Sequence, residues 1–211
     1  MKKAMLAACM LLLESMAFAM PVEELTRIQH DWAVANYNTP EDQQEAAFEK
    51  LVNRARDLVK RYPEEAEPKI WLAIVLSSDA GVNGGLGALG KVKEAKKLLE
   101  AAEKINPDAL NGSIYTSLGS LYYQVPGWPI GFGNDEKAEQ YLKKALQRNP
   151  QGIDPNYFYA DYLLENDKPE MALKYLKKAM AAPPRPDRPL ADKGRREEVR
   201  QAMARAHEML D

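Results

Sequence analysis

The chain has 211 residues, 45% of them apolar, 28% charged and 8% aromatic, with 29 Lys and Arg against 31 Asp and Glu. That length supports one domain, or two small ones, with a real hydrophobic core, and the balance argues against a disordered chain, a collagen-like one or a disulfide-stapled mini-protein. A formal net charge of −2 leaves no surplus of Lys and Arg to displace phosphate counterions, so no nucleic-acid partner is expected.

Residues 1–19 read as an export signal. Lys2 and Lys3 precede an apolar run from Ala4 to Phe18, and Ala17-Phe18-Ala19 has the small-x-small form of a cleavage site, which predicts an exported, periplasmic protein beginning at Met20. The alternative is a lipoprotein box at Leu6-Ala7-Ala8-Cys9, with anchoring at Cys9; the greasiest stretch, Met10 to Leu13, would then lie beyond the cut. Cleavage after Ala19 removes Lys2, Lys3 and Glu14, so the 29 basic and 31 acidic groups fall to 27 and 30, and it removes the one cysteine. Thiol nucleophile, cysteine zinc site and disulfide framework disappear together. No later run approaches eighteen apolar residues, so no membrane span is expected after the signal.

From Val22 onward the apolar positions recur at three and four residues, and alternating β-branched runs are absent, which predicts an all-α chain. Nine helices are expected, at about 22–36, 41–62, 66–79, 91–105, 110–124, 135–148, 154–165, 168–181 and 191–210. Their starts are read from Thr39-Pro40-Glu41-Asp42, with Thr39 as cap, and from the similar chemistry of Asp154-Pro155 and Asp167-Lys168-Pro169-Glu170.

An internal repeat runs through these helices. Counting back from Pro107, Pro150 and Pro184, each segment has Ala at twelve residues, Leu at eight and Ala at five: Ala95, Leu99, Ala102; Ala138, Leu142, Ala145; and Ala172, Leu176, Ala179. Leu51, Ala55 and Leu58 form a degraded copy before Pro63. Upstream, Tyr115, Leu118, Gly119 and Tyr122 have counterparts in Asn156, Tyr159, Ala160 and Leu163, and more distantly in Trp71, Ile74, Val75 and Ser78. The four prolines lie 44, 43 and 34 residues apart.

Over residues 41–184 this pattern resembles the tetratricopeptide repeat, whose period is 34 residues. The resemblance implies a right-handed solenoid of antiparallel helix pairs, in which small Ala residues admit close helix approach and Leu fills the groove. Residues 20–190 would form the repeat domain and 191–211 a capping helix. It also implies a non-enzymatic protein-interaction module with no cofactor, holding a protein or peptide partner on its concave face or expanded loops. Architecture alone also resembles the tetratricopeptide component of TRAP-type transporters, which implies a small organic ligand as the alternative.

The two longer periods predict two expanded loops at equivalent places, Asp79 to Gly90 (DAGVNGGLGALG) and Val125 to Asn134 (VPGWPIGFGN), side by side on one rim. The residues expected to meet a partner or ligand are Trp128 and Phe132 in the second loop, the aromatic residues Tyr122, Tyr123, Tyr157 and Tyr159 in register with it, Trp71, and Asn83 in the first loop. Each has a plain packing role as its alternative.

Gly85 to Gly90 matches G-x-G-x-x-G, but Val92 stands where a magnesium-binding hydroxyl would, and no strands exist to build a nucleotide fold. An anion at a helix start near Lys91 is the remaining reading. His30 and His207 have no partner at metal-ligand spacing, and no G-x-S-x-G or S-x-x-K occurs, so no metal site and no catalytic constellation is expected. A carboxylate-only hydrolase stays open, although Glu64-Glu65 and Glu197-Glu198 read as solvated faces. The proline-rich stretch from Pro183 to Pro189 must be extended; the helix after it reads as a cap, or alternatively as a basic docking element built on Arg185, Arg188, Arg195, Arg196 and Arg200.

Overall fold

The nine repeated residues, Ala95, Leu99, Ala102, Ala138, Leu142, Ala145, Ala172, Leu176 and Ala179, are all completely buried. A computed structural model describes residues 20–211, and the export signal expected at 1–19 lies outside them. The described residues form α1 (Val22–Tyr37), α2 (Glu41–Arg61), α3 (Ala66–Asn83), α4 (Gly85–Ile105), α5 (Ser113–Gln124), α6 (Asp135–Arg148), α7 (Ile153–Glu165), α8 (Pro169–Met180) and α9 (Pro189–Glu208). Among them there is no strand, only an isolated bridge between Gly127 and Gly133, so Ile70 to Leu76 is helix.

The helices pack in sequential pairs, α1 with α2, α3 with α4, α5 with α6 and α7 with α8, and each second helix also touches the pair that follows. The repeat chemistry accounts for this. A Cβ on Gly119 would stand 2.6 Å from Leu142 Cγ, so Gly119 lets α5 approach α6 closely enough for that leucine to fill the groove. Two continuous apolar clusters result, one spanning α1 to α6 and reaching Ala191 of α9, the other spanning α5 to α9.

The first helices of the pairs make a second set of contacts: α1 with α3, α3 with α5, α5 with α7, and α7 with α9. In addition α9 touches α1, so five helices close a ring inside an outer layer of α2, α4, α6 and α8. The expected capping helix therefore covers α8 and also joins the two ends of the array.

The first expanded loop is not a loop. Residues 79–90 carry helical hydrogen bonding except at Gly84, positive φ values of 54° at Gly84 and 66° at Gly85 turn α3 directly into α4, and the inserted residues lengthen that pair to 18 and 21 residues. Gly81, Gly87 and Gly90 cost about 1 kcal/mol each relative to Ala in a helix. Offsetting contacts come from burial of Ala80, from Leu89 and Val92 packed on the core, and from Lys91 Nζ to Asp79 Oδ2 at 2.8 Å. Lys91 thus lies inside α4, and the helix start expected beside it lies at Gly85 instead. The second expansion, residues 125–134, is a true loop, and it meets the preceding pair at Lys96, three turns along α4 from Gly85.

Helix starts also differ in detail. Leu110, Asn111 and Gly112 are left-handed, so α5 begins at Ser113 instead of 110. Thr39 does not cap α2, which follows Pro40; its hydroxyl donates to the Val34 carbonyl at the end of α1. Asp154 lies within the first turn of α7, leaving its carboxylate free for distant arginines.

Candidate binding cavity

Within the ring of α1, α3, α5, α7 and α9 lies a cavity of about 770 Å³, in the range that accommodates organic ligands. The helical period places one stripe of each element on its wall: Gln29, Trp32 and Asn36 of α1, Trp71, Ile74 and Ser78 of α3, Ser113, Ser117 and Ser120 of α5, Tyr157, Phe158 and Asp161 of α7, and Ala191, Arg195 and Glu198 of α9. The linker before α9 adds Arg185, Asp187 and Arg188.

One side of the wall is aromatic. Trp32 meets both Tyr37 and Trp71 edge to face, at 5.6 and 5.9 Å between ring centres, and its Nε1 donates to Ser78 Oγ at 2.9 Å. Arg188 stacks its guanidinium 4.9 Å from the centre of the Trp71 ring. Trp71 Nε1, Tyr37 Oη and Arg188 Nε are buried and have no hydrogen-bond partner.

The other side is ionic. Asp154 accepts from Arg185 Nη1 at 2.7 Å and from Arg195 Nε at 2.9 Å, Arg185 Nε also donates to Asp192, and Arg195 reaches Glu198. Burial opposes the Asp154 charge, but Arg195, Arg185 and Arg188 outweigh it and hold this carboxyl well below the usual range. Burial raises Glu198 in spite of Arg195. It likewise raises Asp161, which accepts a 2.6 Å hydrogen bond from the Tyr123 hydroxyl. Burial lifts the Tyr157 phenol to about 12, against the pull of Arg195, which lies 4.5 Å over its ring.

The residues singled out in the sequence divide into three groups. Trp71 and Tyr157 line the cavity, and Tyr123 bears on it through Asp161. Tyr122, Phe132 and Tyr159 pack elsewhere: Tyr122 stacks on Tyr141 and meets Phe132 edge-on, with Lys96 5.7 Å from the Phe132 ring, while Tyr159 is buried against Tyr162 and Tyr175. Asn83 donates to Asp79 Oδ1 at the end of α3. Trp128 stands in solvent, 89% exposed.

Trp32, Asp154 and Glu198 escaped sequence reasoning as site residues, and Arg185, Arg188 and Arg195 were expected only as part of an alternative docking patch. Glu198 does not form the solvated face expected of it, and four of the five arginines expected as an alternative docking patch, all but Arg188, are engaged. Arg196 donates to the Met180 and Ala182 carbonyls, Arg200 pairs with Glu197, and Arg185 and Arg195 turn inward. Among the described residues no group of His, Cys, Asp and Glu is disposed to hold a metal, and no helix is long and apolar enough to cross a membrane.

A family model described as the tetratricopeptide repeat matches residues 130–151, the end of the second loop and the whole of α6. Among solved structures the chain is similar to a thermophilic tetratricopeptide-repeat protein of Thermus thermophilus, at 17% identity and a TM-score of 0.59, over 88% of this chain and 98% of that one. It is also similar to Pseudomonas aeruginosa pilF at 16% identity and a TM-score of 0.36, over 89% and 91% of the two chains. No curated protein matches by sequence. At these identities the likeness to the Thermus protein concerns the fold.

Proposed function

We propose that this chain, a tetratricopeptide-repeat solenoid, is an exported, periplasmic and non-catalytic scaffold that holds a protein partner through the rim of its helical array. The observation that carries the reading is the Val125–Asn134 loop, which keeps Trp128 89% and Ile130 65% exposed. A slack loop would fold such side chains onto the nearest apolar surface. This one is braced: the amides of Ile130 and Gly131 both donate to the Gly127 carbonyl, Gly133 donates to Pro126, and Asn134 donates to Tyr122. Gly131 and Gly133 have no room for a Cβ against Pro126 and Val125, so the turn tolerates nothing larger.

A rigid mount for an exposed Trp suits an interface anchor, since such residues contribute binding energy far beyond their number and lose little entropy on docking when already held. Contact of α9 with α1 favours the rim over the concave face for a long partner, because five helices bound that face.

Immobilised protein should recover a defined partner from periplasmic extract. The double variant Trp128→Ala, Ile130→Ser should lose that partner, while Arg188→Met, remote from the loop in the cavity wall, should retain it. Undiminished recovery by the loop variant would remove the loop from the interface.

A further inference from the structure

We infer that the cavity enclosed by α1, α3, α5, α7 and α9 is a binding site for an organic monocarboxylate with an apolar or aromatic body. The inference does not depend on the rim reading, since loop and cavity share no residue.

The charge inventory of the wall leaves two lining groups without an ion pair or side-chain hydrogen bond among the described residues, the half-buried cation Arg188 and the exposed carboxylate Asp187. Asp154 is shared by Arg185 and Arg195, Arg185 holds Asp192 as well, Arg195 holds Glu198, and Asp161 takes the Tyr123 hydroxyl. Arg188 has no ion pair among the described residues, although Asp187 is its chain neighbour and Asp154 and Asp192 contribute to its field. Burial disfavours its charge, so a wall of this kind stands at a cost until an anion arrives.

Beside that cation lies an orphan donor. Trp71 is 3% exposed, its ring supports the Arg188 guanidinium, and its Nε1–H has no acceptor. A carboxylate, with two oxygens and about four lone-pair sites, matches a pair of donors of this kind. The backbone reinforces the sign at α5, whose N-terminus after Gly112 has neither a side-chain cap nor an acid in its first turn. Ser113, at that start, lines the cavity.

A single unpaired cation selects a single negative charge. Trp32, Ile74, Tyr157 and Phe158 give the rest of the ligand an apolar and aromatic bed.

Titration calorimetry of the purified protein with octanoate and 4-phenylbutyrate, against their uncharged amides, tests the inference. Both acids should bind with one-to-one stoichiometry, and the amides at least about tenfold more weakly, as loss of a charge-assisted bond requires. Arg188→Met should reduce acid affinity by at least about tenfold and leave the amides unchanged, with Arg188→Lys intermediate. Trp71→Phe keeps the ring beneath the guanidinium, removes the donor and should cost the acids about threefold to tenfold. Acids and amides binding alike, or neither acid binding at about 5 mM, would overturn the site. So would wild-type acid affinity in Arg188→Met; should that variant melt before 25 °C, unchanged acid affinity in Trp71→Phe decides against it. Loss of the protein partner in the loop variant has no bearing on any of these outcomes.

Discussion

The ring of Tyr37 on α1 occupies the space that a Cβ on Gly194 of α9 would need. This contact joins the first and last helices, and it explains a glycine in the interior of a 20-residue helix, where propensity alone disfavours one. Five helices therefore share one cavity, and the chain ends are held together by a residue of no chemical character of its own.

Gly194→Ala should force the Tyr37 ring aside and destabilise the protein by about 1–3 kcal/mol, the usual cost of overpacking. Hydrogen exchange should quicken in α1 and α9 before it does in α4 to α6. The contrast is Gly87→Ala: its site has open space, so the same substitution should stabilise by up to about 1 kcal/mol. Equal effects at the two sites in a thermal melt would deny that α1 and α9 meet through Gly194.

Stability should pass through a maximum in mild acid. Asp154 has its pKa depressed by Arg195, Arg185 and Arg188 against the effect of burial, so its contribution is complete above the ordinary carboxylate value near 4 and is lost as pH falls through the depressed one. Glu198 and Asp161 run the other way: burial raises them, so they contribute most when protonated, and stability is lost as pH rises through their raised values. The melting temperature should rise as pH falls from neutral toward the ordinary carboxylate range and fall again once pH drops below that range. Asp161→Asn keeps an acceptor for Tyr123 and should flatten the upper limb. Asp154→Asn should remove the acid limb and cost about 1–3 kcal/mol at pH 7, because Arg185 and Arg195 lose a shared anion. Melting curves of the two variants across pH check both limbs.

The repeat code predicts where truncation hurts most. Leu142→Ala should cost about 2–5 kcal/mol, since that side chain is fully buried against Gly119. Trp128→Ala, despite its size, should change stability by less than about 0.5 kcal/mol. Denaturant unfolding of the two variants measures both; a large loss at Trp128 would mean that the loop supports the fold.

Local pattern was enough to read nine helices, the all-α class and the buried Ala-Leu-Ala stripe, because a 3.6-residue period and a proline stop act within one helix and its immediate neighbour. The tetratricopeptide resemblance was legible on the same residues. The sequence misled at 79–90, where five glycines suggested a loop: packing between the lengthened α3 and α4, with Lys91 on Asp79, outweighed the intrinsic preference of those glycines. Tyr122 and Tyr159 were legible as aromatic and mute as to role, since only the stack with Tyr141 and the contact with Tyr175 assign them to packing. The cavity itself is a tertiary property. Trp71, Asp154 and Arg188 sit far apart along the chain and come together only because α9 returns to α1. Ring closure depends on the summed rotation of four helix pairs, and no local period encodes that sum.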